Sequence, residues 1–289
     1  MPATSFANTS LTREKIVTIA RALPADLRVL SRLSELLRDP NANLGDIADL
    51  LKRDVTLAAK VVRIGNSPVF GGGRCISTAE EAVNRVGFGE VLKLVGTATA
   101  GRLSENSLQC YNIGANLLRD NMLYGALAAE ALAVPAGIDP RLAYNAGLLR
   151  AVGLMVLDRA GRRDATTSPF YTAARWPDYA TWETNVFGIS SCEVTAVILD
   201  EWQFPAEMTE AIRVHYLTQP SDHGNKLAAL LNVANSLAQR VSRSFVGEEA
   251  WWAISPEKLE AAGVTLDDFE PAVVTTEAAF EAANRALAI

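Results

Sequence analysis

The most informative stretch for chemistry is residues 146–153, Ala-Gly-Leu-Leu-Arg-Ala-Val-Gly. Its pattern is typical of a helix that packs against a core and presents two adjacent positions, 150 and 151, at a working face. A divalent metal at such positions requires a neutral imidazole and a carboxylate as ligands. Arg150 does not lose its proton, and Ala151 has no ligand atom. The stretch therefore indicates the scaffold of a metal site without its chemistry.

Other reactive side chains are scarce. The chain has two histidines, His215 and His223, and three cysteines, Cys75, Cys110 and Cys192. The cysteines are far apart and odd in number, so neither a zinc site nor a disulfide framework follows, and a reducing compartment is favoured. No histidine and acid stand near Cys192 in a nucleophile arrangement, so it is not expected to be catalytic.

Composition is that of an ordinary globular protein. Of the 289 residues, 49% are hydrophobic and 21% charged, and the formal net charge is −6. The negative charge argues against nucleic acid as the main partner, although the run at 159–163 leaves a local basic patch open. The first residues lack a signal-peptide pattern, and no apolar run reaches the roughly 18 residues of a membrane span. We expect a cytoplasmic protein that does not bind membranes.

Helical periodicity runs through the first hundred residues. Leucines at spacings of three and four form one stripe, at Leu27, Leu30, Leu33, Leu36 and Leu37. Residues 39–41 end that helix, Asp54 caps a later one, and Thr78 with Glu81 has the spacing of a capping box. The glycines at 71–73 lack the Lys-Ser or Lys-Thr pair of a phosphate loop and are interpreted as a flexible connection. The pattern predicts an all-α protein.

Several blocks, taken in order, carry a family resemblance. They are Leu23-Pro24, residues 54–58, 63–68, 77–87, 143–149, 193–205 with Trp202, and 212–216. Together they resemble the HDOD domain, a bacterial signalling relative of the HD phosphohydrolases, over roughly residues 20–240. The resemblance implies an HDOD-like helical fold with an N-terminal helical lobe at 20–105 and an HD-like helical lobe at 106–240. Residues 1–19 are then an extension, and 241–289 a C-terminal helical segment.

The resemblance also allows a test of enzymatic competence. Active HD enzymes bind metals through a histidine on an earlier helix, a His-Asp pair and later residues. Alignment places the earlier histidine at Asn121, and a shift of one residue would place it at Asp120 or Met122. The His-Asp pair falls on Arg150 and Ala151.

The later family histidine falls on Ser191 or Cys192, which leaves His215 as the one imidazole at a matching position. A guanidinium at Arg150 would repel a divalent cation about 4 Å away by several kcal/mol at an effective dielectric constant near 20. Metal-assisted hydrolysis needs the ion and an activated water. We therefore expect a pseudoenzyme with no catalytic residues, no metal and no cofactor.

Two roles are open for Arg150. It could pair with a neighbouring acid, Asp120 or Glu193, and act structurally, which is the favoured interpretation because a buried charge needs a partner. Alternatively, with Arg119, it could grip a small anionic ligand in the remnant pocket, which would also contain Asn121, Ser191 and His215.

Three aromatic positions and His215 have structural interpretations. His215 falls on the inner face of its helix, near the helix end where positive charge is favourable, and is expected to be a packed, hydrogen-bonded histidine. Trp202 is predicted to anchor a helix elbow in the core. Trp251 and Trp252 are adjacent and cannot face the same way, so the pair is a candidate interaction surface, with coverage of a core edge as the equal alternative.

The leading functional hypothesis is a non-catalytic bacterial signal-transduction protein that acts through protein–protein contacts. A sensor that binds an anionic, nucleotide-like ligand in the remnant pocket is the second hypothesis, and residual metal-dependent phosphohydrolase activity is the third. The expected partners are signalling proteins and not nucleic acid or membranes. Self-association through the Trp251–Trp252 region or the last helix is left open.

Overall fold

The computed structural model describes residues 11–24, 26–67, 75–103, 107–162 and 169–287. In these ranges the chain forms helices and no β-strand, which confirms the all-α prediction. The α-helices are α1 (Arg13–Ala20), α2 (Asp26–Arg38), α3 (Leu44–Lys52), α4 (Val55–Gly65), α5 (Ala79–Leu103), α6 (Ala115–Ala136), α7 (Pro140–Leu149), α8 (Val152–Arg162), α9 (Tyr179–Phe187), α10 (Ser191–Glu201), α11 (Ala206–Val214), α12 (Lys226–Arg240), α13 (Pro256–Ala262) and α14 (Phe269–Leu287). The predicted glycine connection at 71–73 and the end of the basic run, residue 163, lie outside the described residues.

The predicted helix starts are present with their capping hydrogen bonds. Oδ1 of Asp54 accepts from the backbone N–H groups of Thr56 and Leu57, which begins α4. The hydroxyl of Thr78 accepts from the N–H of Glu81, whose carboxylate accepts from the N–H of Thr78, and α5 follows. These local bonds satisfy donors that a helix start otherwise leaves unpaired, which is why the sequence located them.

Helices α5, α7, α12 and α14 pack against α6. The leucine stripe of α2 faces inward, and Leu27, Leu30 and Leu33 are fully buried. The long helix α5 is interrupted at Gly87, whose φ of 76° lies in the left-handed region that glycine tolerates. The last helix, α14, packs against α4, α5 and α6, so it contributes to the same core.

Close helix contacts fix the stretch around Arg150. A Cβ on Gly147 of α7 would meet the backbone of Gly125 and Ala126 on α6 at 2.8 Å. A Cβ on Gly153 of α8 would collide with the carbonyl oxygen of Ser191 on α10. The two glycines therefore let α7 and α8 press against their neighbours, and Arg150 stands at the break between these helices.

None of the helices in the described ranges has the length and apolar character needed to cross a bilayer. The proposed lobe and segment boundaries at residues 19, 105 and 240 stay predictions.

Candidate functional site

Arg150 is the centre of a buried charge cluster. Its side chain has no exposed surface, and its Nη1 donates to Oε1 of Glu248 at 3.0 Å. Its Nη2 donates to Oδ1 of Asn121 at 2.5 Å. The guanidinium carbon lies 5.2 Å from the ring centroid of Trp252 and 5.7 Å from that of Phe245. A carboxylate, an amide and two aromatic faces thus compensate the buried cation for the water it has lost.

Glu248 reaches the core from the C-terminal segment. It lies in a 3-10 turn, Val246–Trp252, and its side chain is 1% exposed. A Cβ on the preceding residue, Gly247, would overlap the ring of Tyr179, so the absence of a side chain there allows the turn to approach. Oε1 of Glu248 also accepts a hydrogen bond from the Tyr216 hydroxyl at 2.8 Å. We call Asn121, Arg150, Tyr216, Glu248 and Trp252 the Arg150 cluster.

His215 lies beside this cluster as a neutral, packed side chain. Its Nδ1 lies 2.7 Å from the carbonyl oxygen of Ile212, to which it must donate, and its ring stacks on Trp252 at 5.9 Å. Burial, and then the positive charge of Arg150, lower the pKa of His215 from 6.5 to about 3. The predicted inward, hydrogen-bonded histidine is present. Positive charge, which a helix end favours, is opposed here by burial and by Arg150.

Cys192 does not form a nucleophile pair with this histidine. Its Sγ lies 3.8 Å from Nδ1 of His215, the nitrogen that already carries the proton donated to Ile212. Burial raises the pKa of the Cys192 thiol well above its usual range. A protonated thiol beside a nitrogen with no free lone pair is typical of a packing residue and not of a nucleophile.

A second buried carboxyl group, Glu183 of α9, lies close by. Its Oε2 accepts from the backbone N–H of Ser191 at 2.6 Å, and its Oε1 accepts from the Tyr111 hydroxyl at 2.8 Å. Burial raises the pKa of Glu183 to about 7, with the charge of Glu248 acting in the same direction. Ser191 is linked to Arg150 through Thr195, whose hydroxyl lies 2.8 Å from the carbonyl oxygen of Ser191 and 3.1 Å from that of Arg150.

The acids proposed as partners of Arg150 are not the ones that bind it. Asp120 forms a close ion pair with Arg119 at 2.6 Å, so neither contributes to the Arg150 cluster. Glu193 completes the capping box of α10 with Ser190. Both acids satisfy local partners one to three residues away, whereas Glu248 arrives from a distant turn.

The two tryptophans of the candidate interaction surface lie at the edge of the core. Trp252 is 1% exposed and covers the guanidinium of Arg150, whereas Trp251 is half-buried and stacks on Tyr216 at 5.5 Å. The interpretation in which the pair covers an edge of the core fits these positions. Trp202 is half-buried against the core, and its carbonyl oxygen accepts a hydrogen bond from Ser31.

The residues that the family resemblance aligns with metal ligands do not fit a divalent cation. The guanidinium of Arg150 occupies this place, and the nearby amide oxygen of Asn121 already accepts a hydrogen bond from it. Across the described part of the chain, no three His, Cys, Asp or Glu side chains group in a way that could hold a metal. A cation here would meet a fixed positive charge and a carboxylate that is already neutralised.

Sequence reasoning missed Glu248, Phe245 and Glu183. The chain has 33 acidic residues, and the pattern around Glu248 does not distinguish it from its neighbour Glu249. A buried Arg150 needs a counterion, and this need could have been recognised from the sequence. The distance along the chain, however, does not indicate which acid can reach Arg150.

The comparisons with known proteins place this chain in a family. The HDOD domain model matches residues 23–218, so the chain belongs to the HDOD family, and the resemblance inferred from the ordered blocks is confirmed. This range contains Asn121, Arg150 and Tyr216, whereas Glu248 and Trp252 lie beyond it. The cluster therefore joins the family domain to the segment that follows.

Similar proteins extend this finding. An uncharacterised protein of Treponema pallidum (strain Nichols) is 26% identical over 196 residues, which are 67% of this chain and 37% of that protein. The chain thus spans little more than a third of that relative's length.

Solved structures share the fold. An HDOD domain protein of unknown function from Geobacter sulfurreducens has a TM-score of 0.66 at 21% identity, with 93% of this chain and 98% of that chain covered. A candidate phosphohydrolase from Shewanella amazonensis SB2B has a TM-score of 0.64 at 19% identity, with 94% and 97% covered. A candidate signal transduction protein from Marinobacter aquaeolei VT8 has a TM-score of 0.64 at 22% identity, with 98% and 68% covered. At these identities the likeness shows the fold alone.

Proposed function

We propose that this protein is a non-catalytic regulatory module that acts through contacts with other proteins. The observation that carries the proposal is the Arg150–Glu248 ion pair, whose side chains are 0% and 1% exposed and whose arginine falls on a position that the family resemblance aligns with the metal-binding pair of HD enzymes. Metal-assisted hydrolysis needs a polarising ion and a bound water. A guanidinium paired with a carboxylate offers neither, and the same pair ties the C-terminal turn to the family domain.

The enzymatic alternative is tested by metal analysis and a hydrolysis assay. We expect purified protein to contain less than stoichiometric metal and to hydrolyse no phosphodiester in the presence of manganese. The matched control is the double variant Arg150→Met with Glu248→Leu, which replaces the pair by apolar residues of similar size. Stoichiometric metal, or manganese-dependent hydrolysis that the control lacks, would overturn the proposal.

The contact-based role is tested with the same variant. We expect chemical cross-linking in the native host, followed by affinity capture and quantitative mass spectrometry, to recover one partner set with wild type and the double variant. The physical reason is that the variant changes buried groups and leaves the surface intact. Recovery of no specific partner by folded wild type, or loss of the partners in a folded double variant, would contradict a role exerted through the surface.

The second candidate, an anion sensor at Arg150, is the weaker one because both Nη groups of this residue already donate to protein acceptors. Isothermal titration with cyclic dinucleotides and guanosine tetraphosphate tests it. We expect no binding that depends on Arg150. Binding by wild type that the double variant loses would favour the sensor over the contact-based role.

A further inference from the structure

A cavity separate from the Arg150 cluster lies between α2, α5, α7 and α11. Its volume is about 260 Å³, close to the lower end of the roughly 300–1,000 Å³ range of small-molecule sites. Its apolar wall is formed by Leu37, Leu92, Leu142 and Met208. An apolar wall between four helices suits a ligand with a compact hydrophobic part.

Asn145 gives this cavity an unsatisfied polar group. The residue is 4% exposed and lies in the cavity wall, and its Nδ2 donates to Oγ of Ser34 at 2.8 Å. Its Oδ1 accepts no hydrogen bond from any residue that the structure describes. Since a buried acceptor without a donor is costly, a ligand that donates an N–H here would gain affinity.

Four charged side chains lie at the same cavity, two of each sign. Arg38 and Arg141 are positive, Asp139 and Glu207 are negative, and all four are exposed. Within the described ranges none of them forms a salt bridge, although Nε of Arg38 donates to the carbonyl oxygen of Ser34 and Oδ1 of Asp139 accepts from the N–H of Arg141 as the cap of α7. A polyanion such as a nucleotide would meet two carboxylates, whereas a ligand that carries one charge of each sign matches the set.

The start of α11 adds to the positive side. Its N-cap is Pro205, which forms no side-chain capping bond and lines the cavity. The N–H of Met208 already donates to the carbonyl oxygen of Pro205 at 3.0 Å, so the N–H groups of Ala206 and Glu207 are the ones that can attract a carboxylate.

We propose that this cavity binds a free amino acid with an apolar side chain. Its carboxylate is recognised by Arg38, Arg141 and the start of α11, and its ammonium group by Asp139 and Glu207. One N–H of the ammonium group donates to Oδ1 of Asn145. The side chain of the bound amino acid contacts the apolar wall.

Helix α7 connects the cavity to the Arg150 cluster. This helix carries Asn145 at the cavity and ends at Arg150, its C-cap, in the buried cluster. The cavity therefore supplies an input site for the proposed regulatory module. The cavity contains none of the residues of the Arg150 cluster. If the metal and partner experiments contradict the proposed function, the amino-acid site is unaffected. If the amino acid does not bind, the proposed function is unaffected.

The direct test is isothermal titration with L-leucine and L-phenylalanine, supported by thermal shift. The matched probes are 3-methylbutylamine and phenethylamine, which lack the carboxylate, and 4-methylpentanoate and 3-phenylpropanoate, which lack the amine. We expect one of the two amino acids to bind and its two analogues to bind about tenfold more weakly or worse, since each loses a charged contact. No binding of either amino acid, or equal binding of an analogue, would overturn the proposal, as would tighter binding of adenosine monophosphate.

Variants locate the site. Arg38→Ala with Arg141→Ala removes two exposed side chains, so it is expected to fold and to weaken binding about tenfold or more. Arg285→Ala on α14, an exposed arginine away from the cavity, is the control and should bind like wild type. Met208→Trp fills the cavity and should abolish binding. Wild-type affinity in the folded double variant would show that the amino acid binds elsewhere.

Discussion

Two buried glutamates, Glu248 and Glu183, differ in the kind of partner that binds the carboxyl group. Glu248 is paired with the guanidinium of Arg150 and also accepts from Tyr216. Glu183 is equally buried but is held by neutral donors, a backbone N–H and the hydroxyl of Tyr111. Burial raises the pKa of Glu183 to about 7, so it holds a proton in weak acid.

The difference teaches what a counterion does in a closed core. A carboxylate with an arginine partner stays in a fixed bond that connects distant segments, and removal of either partner leaves an uncompensated charge. A carboxyl group with neutral donors can take up a proton instead, so its contribution to stability depends on pH. Substitutions that change one glutamate at a time test this contrast.

The largest effect is expected from breaking the ion pair. Glu248→Gln or Arg150→Met alone should lower the free energy of unfolding by about 3–5 kcal/mol, because each leaves a buried charge without its partner. Arg150→Met combined with Glu248→Leu should recover most of this loss. Urea denaturation of the three variants measures the coupling free energy between Arg150 and Glu248. A double variant whose loss of stability equals the sum of the two single losses would refute this coupling.

Glu183→Gln should change how stability depends on pH. In the wild type this group binds a proton in the folded state between pH 4.5 and about 7 that the unfolded chain has lost. Its contribution is complete below pH 4.5 and falls as pH rises, by about 1.4 kcal/mol per pH unit. The variant should lack this fall, as measured by urea denaturation across the range. An unchanged pH profile would show that Glu183 is ionised in the folded protein.

His215→Asn should produce the opposite change. Burial and then Arg150 lower the pKa of His215 from 6.5 to about 3, so the unfolded chain binds a proton below pH 6.5 that the folded protein does not. Its contribution is present above pH 6.5 and is lost as pH falls. Between pH 4.5 and 6.5 the two groups therefore offset each other in the wild type. Stability should fall with rising pH in His215→Asn and rise in Glu183→Gln.

The double variant Glu183→Gln with His215→Asn is the control for both slopes. Neither remaining side chain titrates there, so the stability profile should be as flat between pH 4.5 and 6.5 as that of the wild type. A remaining slope would assign the pH dependence to other groups.

The smallest effect is expected from an exposed ion pair. Arg285 and Glu281 on α14 lie 3.6 Å apart, and both side chains are 67% exposed. Arg285→Ala should change the free energy of unfolding by about 0.5 kcal/mol or less, since water screens the pair. A loss comparable to that of Glu248→Gln would contradict the role assigned to burial.

The elements that sequence predicted well are those with local causes. The cap at Asp54, the capping box at Thr78 and the leucine stripe of α2 depend on residues within one or two helical turns. The sequence left open whether Trp252 faces solvent or the core, because its surroundings are set by Arg150, which is 102 positions away in the chain.

By itself the sequence determined the all-α class and the HDOD family, since both depend on residue types at short spacing, and it predicted that Arg150 and Ala151 stand in place of a metal-binding pair. The tertiary structure alone decided which of 33 acids neutralises Arg150, because the partner lies 98 residues away and approaches where Gly247 leaves room against Tyr179. It also decided that Glu183 is buried against neutral hydrogen-bond donors and that Asn145 lines a cavity. A buried charge requires a partner, but only the packing of helices determines which residue comes within reach.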